Sequence, residues 1–292
     1  MLYRDRRPLL VFLLSPLVLM AVFLYYPFIV NIYNALFDIK GLIGSPGEFL
    51  GLENFRTFFT RDPVAVRALR NSVVMMPLAL VFQVGLGLVL ALMVDSVRRG
   101  QQFFRIVFFF PIVISATAIG LMFSLFYSYE GGMLNQLMTL MGREKVLWLS
   151  KERAYTMVVI PVLWQYVGFY FVILLTGINA IPEEIFESAA MDGASGLRRI
   201  WYITLPLLRD VLITCATLAV TGAIKVFDLP SVIAKNGAPN GLTHFLGTYM
   251  HSQAFVAQNV DYGSAISIII VVLGVLAAGL MTALMRRGGE GL

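Results

Sequence analysis

Charge is scarce in this sequence. Aspartate, glutamate, lysine and arginine together make up 13% of its 292 residues, against roughly a quarter in a soluble domain. Hydrophobic residues make up 59%, and the mean hydropathy is +0.81. A water-soluble globular chain is therefore excluded, and the composition is that of a membrane protein. Cysteine is almost absent: Cys215 stands alone inside an apolar run, so no internal disulfide can form. The two histidines, His244 and His251, lie seven residues apart with no further ligand types clustered beside them, which leaves no metal site.

Catalytic signatures are missing too. The sequence has no G-x-x-x-x-G-K-[ST] phosphate loop, so ATP binding of the usual kind is not expected, and it has no H-E-x-x-H or G-x-S-x-G motif either. No nucleophile–base constellation supports an intramembrane enzyme. The net charge of +5 needs no nucleic acid to explain it, because arginines flank membrane spans as a rule.

What is present is apolar sequence in membrane-sized lengths. A helix needs about 20 apolar residues to cross the hydrocarbon core. Six stretches qualify: Leu9 to Asn31, Ser72 to Val94, Phe103 to Tyr127, Thr156 to Ile178, Val211 to Phe227 and Ser264 to Met285. The alternating pattern of a membrane barrel is absent, so the expected fold is all-α, a polytopic membrane protein with six transmembrane helices in one domain. Pro77, Pro111 and Pro161 fall inside spans, where neighbouring helices can tolerate them. Arg4, Arg6 and Arg7 precede the first span as in a signal peptide, but its apolar run is too long and no small-x-small cleavage site follows, so a retained helix is expected. The intervening stretches "LENFRTFF" and "MLNQLMTLMG" have helical apolar spacing and are expected to form short helices at the outer interface.

Orientation follows from the basic residues. With both termini inside, ten of them, including Arg98, Arg99, Arg198, Arg199 and Arg209, lie on inner segments and ten on the outer loops. The inner segments are about half as long, so basic density favours cytoplasmic termini. The same orientation places the loop 181–206 in the cytoplasm.

That loop, "EIFESAAMDGASGLRRIWYITLP" in its main part, is unusually polar for its surroundings. Ile181, Ile185 and Ala189 lie along one helical face. Glu183 and Glu184 sit near the positive end of the helix dipole. Asp192-Gly193 is a turn signal, since glycine takes positive φ cheaply. A second short helix, with Ile200, Ile203 and Leu207 on one face, is expected to follow, until Pro206 disturbs its hydrogen bonding. The result is a helix–turn–helix with a small-residue patch at Ser188, Ala189 and Ala194. By these residues alone it is either a docking surface for another protein or an amphipathic linker resting on the membrane.

The residues carry a resemblance. Glu187-Ser188-Ala189, then Asp192-Gly193-Ala194, then Ile203-Thr204-Leu205-Pro206 resemble the signature loop of the membrane subunits of bacterial ATP-binding-cassette importers. The family has alanine where this chain has Ser188. The segments "RRPLLVFLLSPLVLM", "GLENFRTFF", "LPLLRDVLI", "KVFDLPSVIAKNGAPNG" and "DYGSAISI" are similar to carbohydrate-importer permeases. The nearest branch takes up oligosaccharides, glycosides and polyols, and within it the chain resembles the first of two unlike permease subunits. The resemblance implies that the loop is a coupling helix docking a separate cytoplasmic ATPase dimer, through Glu187, Ser188, Ala189, Asp192, Gly193, Ala194, Leu205 and Pro206. It also implies a second, homologous permease subunit and an extracytoplasmic solute-binding protein. ATP and Mg would be used by the partner ATPase, with no cofactor and no catalysis on this chain.

Polar side chains deep in a span are functional candidates by default. Gln83, Ser115, Thr117, Gln165, Tyr166, Thr221 and Lys225 qualify, with Asp228 at the end of the fifth span. Glutamines can instead bond between helices, and hydroxyls can bond back to their own helix. Sugars need hydrogen-bond partners for their hydroxyls and flat apolar surfaces for their rings, and Trp164, Tyr166, Phe169 and Tyr170 could supply the rings. By the resemblance, the solute cavity falls at Gln165, Tyr166, Phe169 and Phe227. Lys225 leaves three readings open: a pair with Asp228 on one helical face, a side chain snorkelling outward, or a cation lining the path of an anionic solute. An ion-coupled secondary transporter or channel is the alternative function, although it would want more ionisable groups within the spans.

Overall fold

A computed structural model describes residues 7–39, 47–97 and 100–287. Arg4, Arg6, Lys40, Arg98 and Arg99 lie outside the described residues, as do the side chains of Arg7, Arg286 and Arg287, so part of the basic set behind the orientation is not seen. The described residues are overwhelmingly helical, and their one β feature is an isolated bridge between Phe37 and Phe49. In chain order the helices are α1 (Phe12–Leu36), α2 (Glu53–Thr60), α3 (Pro63–Asp95), α4 (Gln101–Val113), α5 (Ala116–Phe126) and α6 (Met133–Leu140). They continue as α7 (Ala154–Asn179), α8 (Glu183–Met191), α9 (197–207), α10 (Arg209–Ile224), α11 (Asp228–Ile233), α12 (Leu246–His251) and α13 (Val260–Arg287).

Five of the expected spans are stretches long and apolar enough to cross a membrane, and the bent α4–α5 pair passes the same test when taken together, which brings the number to six if the pair is one span. The third span departs from expectation. It is broken at Ile114 and Ser115, where α4 and α5 meet at 86° and Ile114 takes an extended conformation. Proline alone does not mark such a break: Pro111 lies in a helix that stops two residues later, whereas Pro77 and Pro161 lie in helices that continue. The fifth span also differs. Its first helix ends at Ile224, Lys225–Phe227 is non-helical, and α11 then carries it on to Ile233. The two short helices expected between spans are formed as α2 and α6.

The chain divides into two compact units, Met1–Asp62 with Met250–Ile269, and Pro63–Tyr249 with Ile270–Leu292. In the first, the Asn31 amide donates to the Ser267 hydroxyl. The Asn54 amide donates to the Ala35 carbonyl at 3.2 Å and to Asp261 at 3.3 Å, and Tyr262 donates to Asp62 at 2.7 Å. The most apolar stretch of α1 buries none of its side chains, as suits a helix solvated by lipid.

In the second unit α7 is central: 56% of its most apolar stretch is buried, the largest share among the spans. It packs against α3, α4, α10 and α11, with Phe171, Leu174, Leu175 and Ile178 wholly enclosed. In lipid, helices associate through close packing rather than hydrophobic burial, so small residues sit where backbones meet. Gly168 is such a residue: a Cβ built there would stand 1.8 Å from the Phe108 carbonyl oxygen of α4. The connections pack as closely. Asn135 is buried and accepts from the Val146 amide at 2.9 Å and the Trp148 indole at 3.1 Å, which folds residues 128–150 around α6. Asn71 donates to the Leu242 and His244 carbonyls at 2.9 and 2.8 Å, which fastens 235–249 to α3. His244 is itself buried, 3.1 Å from the Thr248 hydroxyl. Among the described residues, no group of three or more His, Cys, Asp or Glu could hold a metal.

Candidate functional site

A cavity of about 260 Å³ opens inside the second unit. One wall is α3, with Met75, Ala79 and Gln83. The second is α7, with Val162, Gln165, Tyr166, Phe169 and Tyr170. The third runs from Leu218 in α10 through the non-helical Lys225–Phe227 to Pro230 in α11. The local backbone makes this possible. A π-helical turn over Ala79–Gly85 loosens α3 at Gln83, and the break after Ile224 releases Lys225 and Phe227 from a regular helix. All five residues singled out for a solute path (Gln165, Tyr166, Phe169, Lys225 and Phe227) line this one cavity.

Gln165 is buried, at 6% exposure, on the α7 wall of the cavity. Gln83 also makes the interhelical bond open to it, from Nε2 to the Val162 carbonyl at 3.1 Å. Lys225 and Asp228 are both exposed on the cavity wall. The ion pair their spacing allows is not made: among the described residues no salt bridge joins them. The reason is the break between them, since an i,i+3 pair needs a continuous helix. The cavity thus presents a cation, a carboxylate, two side-chain amides and four aromatic residues.

The other polar candidates lie elsewhere. Thr221 donates back to the Thr217 carbonyl at 2.8 Å, the local bond such hydroxyls commonly make. Ser115 and Thr117 sit at the α4–α5 bend, outside the cavity lining, and Trp164 packs edge-on against Phe123, ring centroids 5.9 Å apart. Asp228, which the sequence placed at the end of the fifth span beside Lys225, joins the five on the cavity wall.

The polar loop is a helix–turn–helix. Pro182 stands one position before α8, with Glu183 and Glu184 in its first turn. At its end Gly193 takes φ +78°. The Ala194 amide donates to the Ala189 carbonyl at 2.9 Å and the Gly193 amide to the Ala190 carbonyl at 3.1 Å. These two bonds are the paired closure of a Schellman cap. Glu187, Ser188, Asp192 and Gly193 are exposed, Ala189 is buried, and Ala194 is half-buried. Beyond the turn, α9 carries Leu205 and Pro206 and leaves Leu197, Trp201 and Tyr202 exposed, at 74, 66 and 78%. Arg199 was counted in the sequence only as an inner charge. It donates to Asp95 at the end of α3 at 3.1 Å and stacks over the Phe186 ring at 4.2 Å.

Residues 83–288 match the family described as binding-protein-dependent transport system inner membrane component. The chain belongs to that family. The permease is 34% identical to the probable ABC transporter permease protein YurN of Bacillus subtilis, over 95% of each chain. It is 28% identical to the sulfoquinovosyl glycerol transport system permease protein SmoG of Agrobacterium fabrum, over 96% of this chain and 91% of that one. It is 31% identical to the diacetylchitobiose uptake system permease protein NgcF of Streptomyces coelicolor, over 97% and 84%. Its fold is similar to that of a chain in a bacterial ABC transporter involved in the import of the acidic polysaccharide alginate, with a TM-score of 0.84 at 21% identity, over 97% and 96%. The permease is thus a multi-pass inner-membrane component of an importer of the ATP-binding-cassette type, and the ion-coupled transporter or channel is set aside.

Proposed function

We propose that this permease carries a sugar or sugar-like solute through the α3–α7–α10 cavity, driven by a cytoplasmic ATPase dimer docked on the α8–α9 loop. The observation that carries the reading is the cavity lining: Gln165, Lys225 and Asp228 offer donors and acceptors to hydroxyls, while Tyr166, Phe169 and Phe227 offer flat faces to sugar rings. The names of relatives, which include uptake of sulfoquinovosyl glycerol and of diacetylchitobiose, support the same solute class.

The mechanism is alternating access. A solute-binding protein delivers the solute from outside to a path shared with a second, homologous permease subunit. ATP closes the ATPase dimer, which moves α8 through Glu187, Ser188, Ala189, Asp192, Gly193 and Ala194, braced by Leu205 and Pro206. The termini and this loop are cytoplasmic in this reading. ATP and Mg are bound by the partner ATPase, and the chain performs no catalysis of its own.

The test is uptake of labelled sugars by the assembled importer carrying Gln165→Ala or Tyr166→Ala. The reading expects impaired uptake with normal assembly in both. Normal uptake in both would make these residues packing elements and remove the cavity from the path.

A further inference from the structure

The cavity has three walls, but only two are joined to the docking loop by the chain. From Val162 to Pro230 the lining residues of α7, α10 and α11 lie on one continuous segment that contains α8 and α9. The α3 wall, with Met75, Ala79 and Gln83, belongs to an earlier stretch. Among the described residues, one side-chain contact that joins it to the docking helix-turn-helix is that of Arg199 with Asp95. Arg199 Nη2 lies 3.1 Å from Asp95 Oδ2, and the same guanidinium covers the Phe186 ring of α8 at 4.2 Å. One side chain of α9 therefore grips both the docking helix and the last residue of α3. From Asp95 the helix runs twelve residues back to Gln83, about 18 Å at 1.5 Å per residue.

We propose that Arg199 is a positioning residue for transport: through Asp95 and Phe186 it transmits displacement of the docking helix to α3, so that all three cavity walls move together. The proposal rests on the docking reading given above. The magnitude of the contact argues for a mechanical role. The side chains are 39% and 21% exposed, and an ion pair of that exposure shifts a folding equilibrium by at most about fivefold. A planar guanidinium bonded to a carboxylate on one edge and stacked on a ring face is nevertheless geometrically specific. Packing of α3 on α7 holds the helix in place, and the Arg199 contact fixes where its end stands relative to α8.

The experiment uses the assembled importer with Arg199→Asp, Asp95→Arg and the two combined. Membrane level, ATPase co-purification, nucleotide hydrolysis and solute uptake are read in each. Single reversals are expected to lower uptake about tenfold, within the usual range of a coupling factor, while the ATPase stays bound and hydrolysis continues. The swapped pair should regain most of the lost uptake. Wild-type uptake in the single reversals would overturn the proposal, as would a swapped pair that assembles but stays impaired. Loss of the ATPase from a single reversal would also overturn it and assign Arg199 to the docking surface itself. If the reversals do not reach the membrane, Arg199→Gln removes the charge at similar bulk, and normal uptake in that variant counts against the proposal. Absence of an ATPase from the wild-type complex would instead sink the docking reading.

Discussion

The Tyr127 hydroxyl donates to the Met157 carbonyl oxygen across 2.9 Å. Four residues beyond Met157 stands Pro161, inside a continuous α7. Proline has no N–H, so this oxygen lacks its helical donor, and the phenol at the end of α5 replaces it. Tyr127→Phe is therefore expected to destabilise the permease by about 0.5–1.5 kcal/mol, with uptake little changed. Pro161→Ala restores an intrahelical donor and should reduce that cost. A double-mutant cycle on thermal unfolding of the purified permease checks this, and additive effects would disprove the compensation.

Lys225 gives a charge-specific prediction. It lines the cavity without an ion pair to Asp228, so Lys225→Met should leave assembly intact. Its effect on uptake should be larger for an anionic solute than for a neutral one, because only the former loses an opposite charge. Equal loss of assembly and uptake would return Lys225 to a structural role.

The orientation is tested by labelling. Ser195 in the docking loop and Lys151 before α7 are both exposed. In a Cys215→Ser background, Lys151→Cys should react with an impermeant thiol reagent in intact cells, and Ser195→Cys should react only after the membrane is opened. The reverse pattern would invert the topology.

Apolar length made the spans legible in the sequence, because membrane crossing imposes a length that composition alone can reveal. The Asp192-Gly193 turn was legible for a local reason: a left-handed cap wants glycine. The Ile114–Ser115 bend was not, since Pro111 has the same sequence context as prolines that helices absorb. Of the three readings open for Lys225, the pair with Asp228 is not formed for a related reason, as i,i+3 spacing implies contact only if the helix continues. Of the five cavity residues, Gln165, Tyr166, Phe169 and Phe227 came from the family resemblance, and Lys225 stood out as an ionisable group within a span. The Arg199–Asp95 contact joins residues 104 apart, and nothing local in either sequence announces it.

Gly193 offers the most direct test of the account's central claim, that the α8–α9 loop couples a motor to the cavity. A Cβ at this position would meet nothing within 4 Å, so the space beside the turn is open. The residue nevertheless holds φ +78°, which a β-branched side chain resists. Gly193→Val should therefore leave membrane insertion normal, distort the docking turn and crowd whatever approaches it. The measurement is solute uptake paired with co-purification of the ATPase. The account predicts abolished uptake and a loosened ATPase at normal membrane level. Wild-type uptake with the ATPase fully retained would contradict it and leave the loop a passive linker.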